Sequence, residues 1–197
     1  MNLLAHAYLS FNEPDILLGN MISDFVKGRR KFDFPLPIQA GILLHREIDA
    51  FTDSHPATAG MKKFFRTRYG LYAAPFTDIV YDHFLANDTK EFPLESDLKS
   101  FSAQTYIMLE ANSKWFPHAF MHMFRYMQSQ DWLTNYRFNF GIERSFEGLV
   151  RRATYMNDHK PAMHIFLENK SSLHSYYLQF FPELKKHAAE VLANLKK

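Results

Sequence analysis

Apolar residues recur at spacings of three and four through most of the chain, and few stretches alternate apolar with polar positions, so the pattern predicts helices and no sheet. Prolines punctuate it. Pro14 suits the first turn of a second helix, Pro35 and Pro37 close a loop ahead of a long helix, and Pro56 follows that helix. Pro75, Pro93, Pro117, Pro161 and Pro182 mark later boundaries, which divides the chain into about seven to nine helices.

From Pro37 one helical stripe reads Ile38, Ile42, His45, Asp49, Thr52. An imidazole and a carboxylate thus continue a row begun by isoleucines, within the stretch "HREIDAFTDSHP". Residues four apart on a helix have Cβ atoms about 6 Å apart, so both side chains can reach one partner. A buried carboxylate without compensation costs several kcal/mol. A His–Asp hydrogen bond or ion pair would satisfy this helix alone. Other segments, however, repeat the problem. "FTDIVYDHFLAND" sets Asp78 and Asp82 one turn apart, with His83, among Ile79, Val80, Phe84 and Leu85; "LAHAYL" embeds His6, and "GNMISDFVKG" embeds Asp24. One shared metal centre accounts for the four segments together. "HAFMH" also puts His118 and His122 one turn apart, but Met and Phe surround them and the nearest acid is Asp131, so they read as packing residues.

The chain has 197 residues, 47% hydrophobic and 16% aromatic, which suits a single globular domain over 1–197. The chemistry-bearing residues fall in 1–90, leaving 91–197 as scaffold or lid. There is no cysteine, so any metal has nitrogen and oxygen ligands, which favours Mn²⁺, Mg²⁺ or Fe²⁺ over a structural zinc. No apolar run approaches the roughly 20 residues that span a bilayer, and the start "MNLLAHAYLSFNEPD" lacks the features of a signal peptide. A cytoplasmic protein with no membrane partner is expected. The net charge is only +2, yet the positives cluster in "KGRRK", in "KKFFRTR" and at Arg151 and Arg152. Such patches suit an acidic partner, or simply form solvated faces.

Four ordered motifs, "NLLAHAYLS", "GNMISDFVKG", "GILLHREIDAFTDSHP" and "DIVYDHFLA", with a weaker match at "DWLTNYR", resemble the bacterial acyl carrier protein phosphodiesterases. These look like divergent relatives of the HD-domain metal-dependent phosphohydrolases. The resemblance implies an all-α, single-domain helical bundle of the HD-domain-like type. It implies a hydrolase that removes 4′-phosphopantetheine from holo acyl carrier protein, with a divalent metal, typically Mn²⁺, as cofactor. The partner would be that acidic carrier protein, not a nucleic acid.

Carried over by position, the resemblance assigns His6, Asp24, His45, Asp49, Asp82 and His83 to the metal, and Asp53, Asp78 and Arg46 to catalysis. Lys27, Arg29, Arg30 and Lys31, just after Asp24, would face the carrier protein. The family's tryptophan soon after "DHFLA" is replaced here by "NDTKEF". Two other functions fit the same residues: an HD-like hydrolase of a nucleotide or small phosphoester, and a non-catalytic helical adaptor that keeps metal or ion pairs for stability.

Overall fold

The computed structural model describes residues 1–196. Among them are eleven α-helices: α1 (Leu3–Tyr8), α2 (Pro14–Ile22), α3 (Leu36–Ser54), α4 (Pro56–Tyr69), α5 (Ala73–Ala86), α6 (Glu95–Ala111), α7 (His118–Ser129), α8 (Trp132–Asn135), α9 (Asn139–Arg152), α10 (Lys160–Glu168) and α11 (Lys170–Leu195). Short 3-10 segments lie at Ser23–Phe25, Gly28–Asp33, Gly70–Tyr72 and Ser113–Trp115. The all-α expectation holds, but the helices outnumber the seven to nine read from the prolines. The surplus comes from short elements such as the four-residue α8, which starts at Asp131 in a left-handed conformation rather than at a proline.

Pro14, Pro37, Pro56 and Pro161 all sit in first turns, where the missing N–H has no intrahelical partner to lose. Pro182 breaks the expectation. It lies inside α11, which continues through it. Pro182 is exposed while Phe181 and Leu184 are buried, so the defect falls on the solvent face and the apolar face holds the helix together.

The predicted stripe of α3 is buried except at Asp49: Ile38, Ile42, His45 and Thr52 are each 6% exposed or less, while the Asp49 side chain is 40% exposed. α3 packs against α2, α4 and α11, and its most extensive packing is with α2. That approach needs glycine twice. A Cβ at Gly19 would lie 2.1 Å from the Ile38 carbonyl oxygen, and one at Gly41 would lie 2.3 Å from that of Ile16. α5 is buried on nearly all sides, between α4, α9 and α1. Phe65 of α4 stacks on Phe76 of α5 at 5.7 Å, Phe146 of α9 meets Phe76 edge-on at 5.1 Å, and Tyr81 of α5 stacks on Phe180 of α11 at 4.4 Å. Each such ring contributes roughly 1.5–3 kcal/mol by burial, and together they join both halves of the chain in one core. No helix among the described residues is long and apolar enough to cross a membrane.

Candidate metal centre

The site begins with an asparagine inside the apolar α2. Asn20 is fully buried, and its Nδ2 donates to the His6 carbonyl at 2.8 Å and to Ser10 Oγ at 3.1 Å. With the amide oriented by those bonds, its Oδ1 faces His6 Nδ1 at 2.8 Å, so Nδ1 carries the proton. The Asn20 main-chain carbonyl accepts from His45 Nδ1, also at 2.8 Å. One residue thereby sets both imidazoles, and the glycine crossing brings α3 close enough for the second bond.

The two rings stack, with centroids 3.9 Å apart and planes 13° from parallel. Their Nε2 atoms are buried and make no hydrogen bond. Both face carboxylates: His6 Nε2 is 3.3 Å from Asp49 Oδ1, and His45 Nε2 is 3.1 Å from Asp49 Oδ2 and 3.3 Å from Asp24 Oδ1. Ligand atoms of His6, His45 and Asp49 all lie within 4.8 Å of one another. Asp24, on the 3-10 turn Ser23–Phe25, approaches from the exposed side. Two Nε2 atoms freed by internally bonded Nδ1 atoms, beside two carboxylates, form a donor set that fits a hard or borderline divalent cation.

The electrostatics show how strongly this cluster calls for positive charge. Burial lowers His6 to about 4, helped by the neighbouring His45. Burial works against protonated His45 too, but Asp24 and Asp49 overcome it and raise His45 to about 9. Burial likewise opposes ionised Asp49, yet His45, His6 and the Met1 ammonium hold it well below the usual carboxylate range. That ammonium donates to Asp49 Oδ1 at 3.0 Å and lies 3.4 Å from Asp78 Oδ1. Asp78, by contrast, is pushed up by burial.

Four other expected site residues do not join the cluster. Asp82 turns to the start of α1, accepting the Leu4 and Ala5 N–H groups at 2.7 and 3.1 Å, and so works as a cap for the helix that carries His6. His83, the next residue on α5, necessarily points elsewhere. Its Nδ1 meets the Tyr136 carbonyl at 2.8 Å and its ring packs edge-on against Phe166. Asp53 is exposed and paired with Lys62 at 2.7 Å, since it falls off the α3 stripe. Arg46 is exposed and donates to the Val26 carbonyl at 3.3 Å, bracing the segment that follows Asp24. In the basic segment, Lys27, Arg29 and Arg30 are exposed and Lys31 is half-buried. His118 and His122 are exposed rather than packed, because Phe120 and Phe124 take the buried face of α7.

A cavity of about 860 Å³ opens onto the cluster. Its lining includes His6, His45, Asp24 and Asp78, but also Trp132 and Tyr136 of the α8 region and Arg144, Arg151 and Arg152 of α9. Sequence reasoning marked "DWLTNYR" and the Arg151–Arg152 cluster without joining either to the site, and missed Arg144 and Asn20. The signal for Asn20 was present, a lone amide in "ILLGNMI".

Comparison with known proteins agrees with the motifs. A family model described as acyl carrier protein phosphodiesterase matches residues 1–184. A protein of Escherichia coli O6:H1 (strain CFT073) named acyl carrier protein phosphodiesterase is 28% identical over 193 residues, covering 96% of this chain and 98% of its own length. Its namesake in Shigella boydii serotype 18 is 29% identical over 194 residues, with the same coverage. No solved structure matches the chain.

Proposed function

Since the chain belongs to the acyl carrier protein phosphodiesterase family, an enzyme family, we propose that it hydrolyses the phosphodiester joining 4′-phosphopantetheine to a serine of holo acyl carrier protein. The reaction would use a divalent cation, Mn²⁺ before Mg²⁺ or Fe²⁺, held by His6, His45, Asp49 and Asp24. The observation that carries this reading is the pair of buried Nε2 atoms converging on two carboxylates at 3.1–3.3 Å, with both Nδ1 atoms already bonded to Asn20. An adaptor that needed only stability would gain more from an apolar pair of similar volume.

When bound, such a cation neutralises phosphoryl charge and lowers the pKa of a coordinated water. The chain's own groups do the rest. Asn20 fixes the His6 tautomer through its side chain and orients His45 through its main chain, so both rings present Nε2 without rearrangement. Asp49 bridges the two imidazoles, and Asp24 closes the exposed side. Asp78 lines the cavity with its proton affinity raised by burial, which suits it to accept a proton from the attacking water. Arg46 acts at one remove, through Val26, on the position of Asp24. Lys27, Arg29, Arg30 and Lys31 place positive charge directly after Asp24, where an acidic protein would meet it.

Incubation with holo acyl carrier protein and Mn²⁺, followed by mass measurement, tests the proposal. Apo protein and free 4′-phosphopantetheine should both form, and chelator should stop the reaction. Intact carrier protein alongside cleaved nucleotide would assign the centre to a small phosphoester instead.

A further inference from the structure

The cavity that holds the two histidines is bounded elsewhere by α9. Gly141, Arg144, Gly148 and Arg151 recur at spacings of three and four, forming one stripe of that helix with Arg152 beside it, and all five line the cavity. Arg144, Arg151 and Arg152 are exposed, and none of them pairs with a carboxylate among the described residues; Arg144 only lies over the Phe140 ring, at 5.7 Å. Glu147 is the one acid that α9 adds to this wall. Arginines in a last helical turn favour the helix dipole, which accounts for Arg151 and Arg152 but not for Arg144, in the middle of α9.

Gly148 is the second observation. Glycine weakens a helix interior relative to alanine, and Gly141 has a reason for it, since a Cβ there would lie 1.8 Å from the Asn135 carbonyl oxygen. Gly148 has none. A Cβ at that position would meet nothing within 4 Å, and its backbone is ordinary helix. Neither packing nor conformation asks for glycine, whereas any longer side chain would project into the cavity between the arginines.

We propose that this stripe of α9 is the seat for an acidic helix of the protein substrate, and that Gly148 leaves open the path by which an extended prosthetic arm reaches His6 and His45. The inference rests on the reaction proposed above. The guanidiniums meet the carboxylates of the docked helix, and the arm runs past Gly148 along a wall that also holds Trp132 and Tyr136.

Fluorescence anisotropy of labelled apo acyl carrier protein with the full chain, without cation and over a range of salt, reads docking separately from chemistry. Arg144→Glu combined with Arg151→Glu should weaken binding roughly tenfold and flatten its salt dependence. Arg66→Glu with Arg68→Glu, on α4 and outside the cavity lining, should change it less than about twofold. Gly148→Gln should weaken binding of holo more than apo carrier protein while keeping or raising the melting temperature, because glutamine is the better helix former. Unchanged binding in the α9 pair, or equal loss in the α4 pair, overturns the seat while leaving the reaction intact. A wild-type chain that neither binds nor cleaves the carrier protein overturns the reaction and the seat together.

Discussion

Gly19 and Gly41 meet across the α2–α3 crossing so closely that a Cβ on Gly41 would lie 2.9 Å from the Gly19 Cα and 2.3 Å from the Ile16 carbonyl oxygen. Backbone on both sides leaves nothing flexible to give way. Gly41→Ala should therefore destabilise the fold by about 2–4 kcal/mol, and should weaken Mn²⁺ binding by moving His45 away from the Asn20 carbonyl. Urea unfolding and calorimetric titration measure the two effects. An unfolding midpoint equal to wild type would mean that the crossing is looser than described.

Asp24→Ala, His45→Ala and Asp49→Ala should each abolish hydrolysis and sharply reduce Mn²⁺ binding, while the far-ultraviolet dichroism stays helical. Each removes a donor atom from the cluster rather than a large packing volume. Near-normal turnover in two of the three at saturating Mn²⁺ would place the centre elsewhere.

Asp82→Asn keeps one acceptor for the Leu4 and Ala5 N–H groups. It should cost about 1–3 kcal/mol of stability yet bind Mn²⁺ with wild-type stoichiometry, as should the double variant His118→Ala with His122→Ala. Loss of bound metal in either protein, measured by elemental analysis, would return those residues to the ligand set.

Burial holds His83 down at about 4, with Lys170 and His174 adding to the effect and the Tyr136 carbonyl opposing it. A histidine in the unfolded chain titrates near 6.5, so between those values the unfolded state carries a proton that the folded state refuses. The contribution is fully present above about pH 6.5, is lost as pH falls towards 4, and is constant below that. In His83→Leu this dependence disappears. The stability advantage of wild type over the variant should shrink by on the order of 2 kcal/mol between pH 7 and pH 4. Parallel unfolding curves for the two proteins across that range would show that His83 is protonated without penalty.

Arg29 and Arg30 are exposed and lie outside the cavity lining, so charge reversal there tests the proposed approach of the carrier protein rather than the cavity itself. It should slow association of the carrier protein severalfold at low salt, with a much smaller effect near 0.5 M salt, where the screening length is about 4 Å. Stopped-flow mixing reads this directly. A faster dissociation rate with unchanged association would mean that these side chains form part of the seat.

The periodicity of α3 was legible because burial and helical spacing coincide there: Ile38, Ile42, His45 and Thr52 were read as one face and are one buried face. His6, Asp24 and Asp49 were read as polar groups that needed a partner, and they meet. α5 was harder. It is buried nearly all round, so periodicity could not tell which way Asp82 and His83 turn; consecutive residues diverge by about 100° on a helix of 3.6 residues per turn, and here one caps α1 while the other meets Tyr136. The α9 wall was legible only in part: Arg151 and Arg152 read as a basic cluster suited to an acidic partner, but nothing in the local sequence joined them to the site. Arg144 and Gly148 gain meaning only through a cavity whose other side is more than ninety positions away in sequence.

That separation also orders assembly. Every group proposed to hold the cation, with Asn20 that orients them, has been synthesised once residue 49 is made. The Leu4 and Ala5 N–H groups then wait for Asp82, and the cavity wall waits for α9. Since chains emerge amino end first, at about 5–20 residues per second, the corner proposed to hold the ion is made seconds before the α9 surface proposed to seat the substrate.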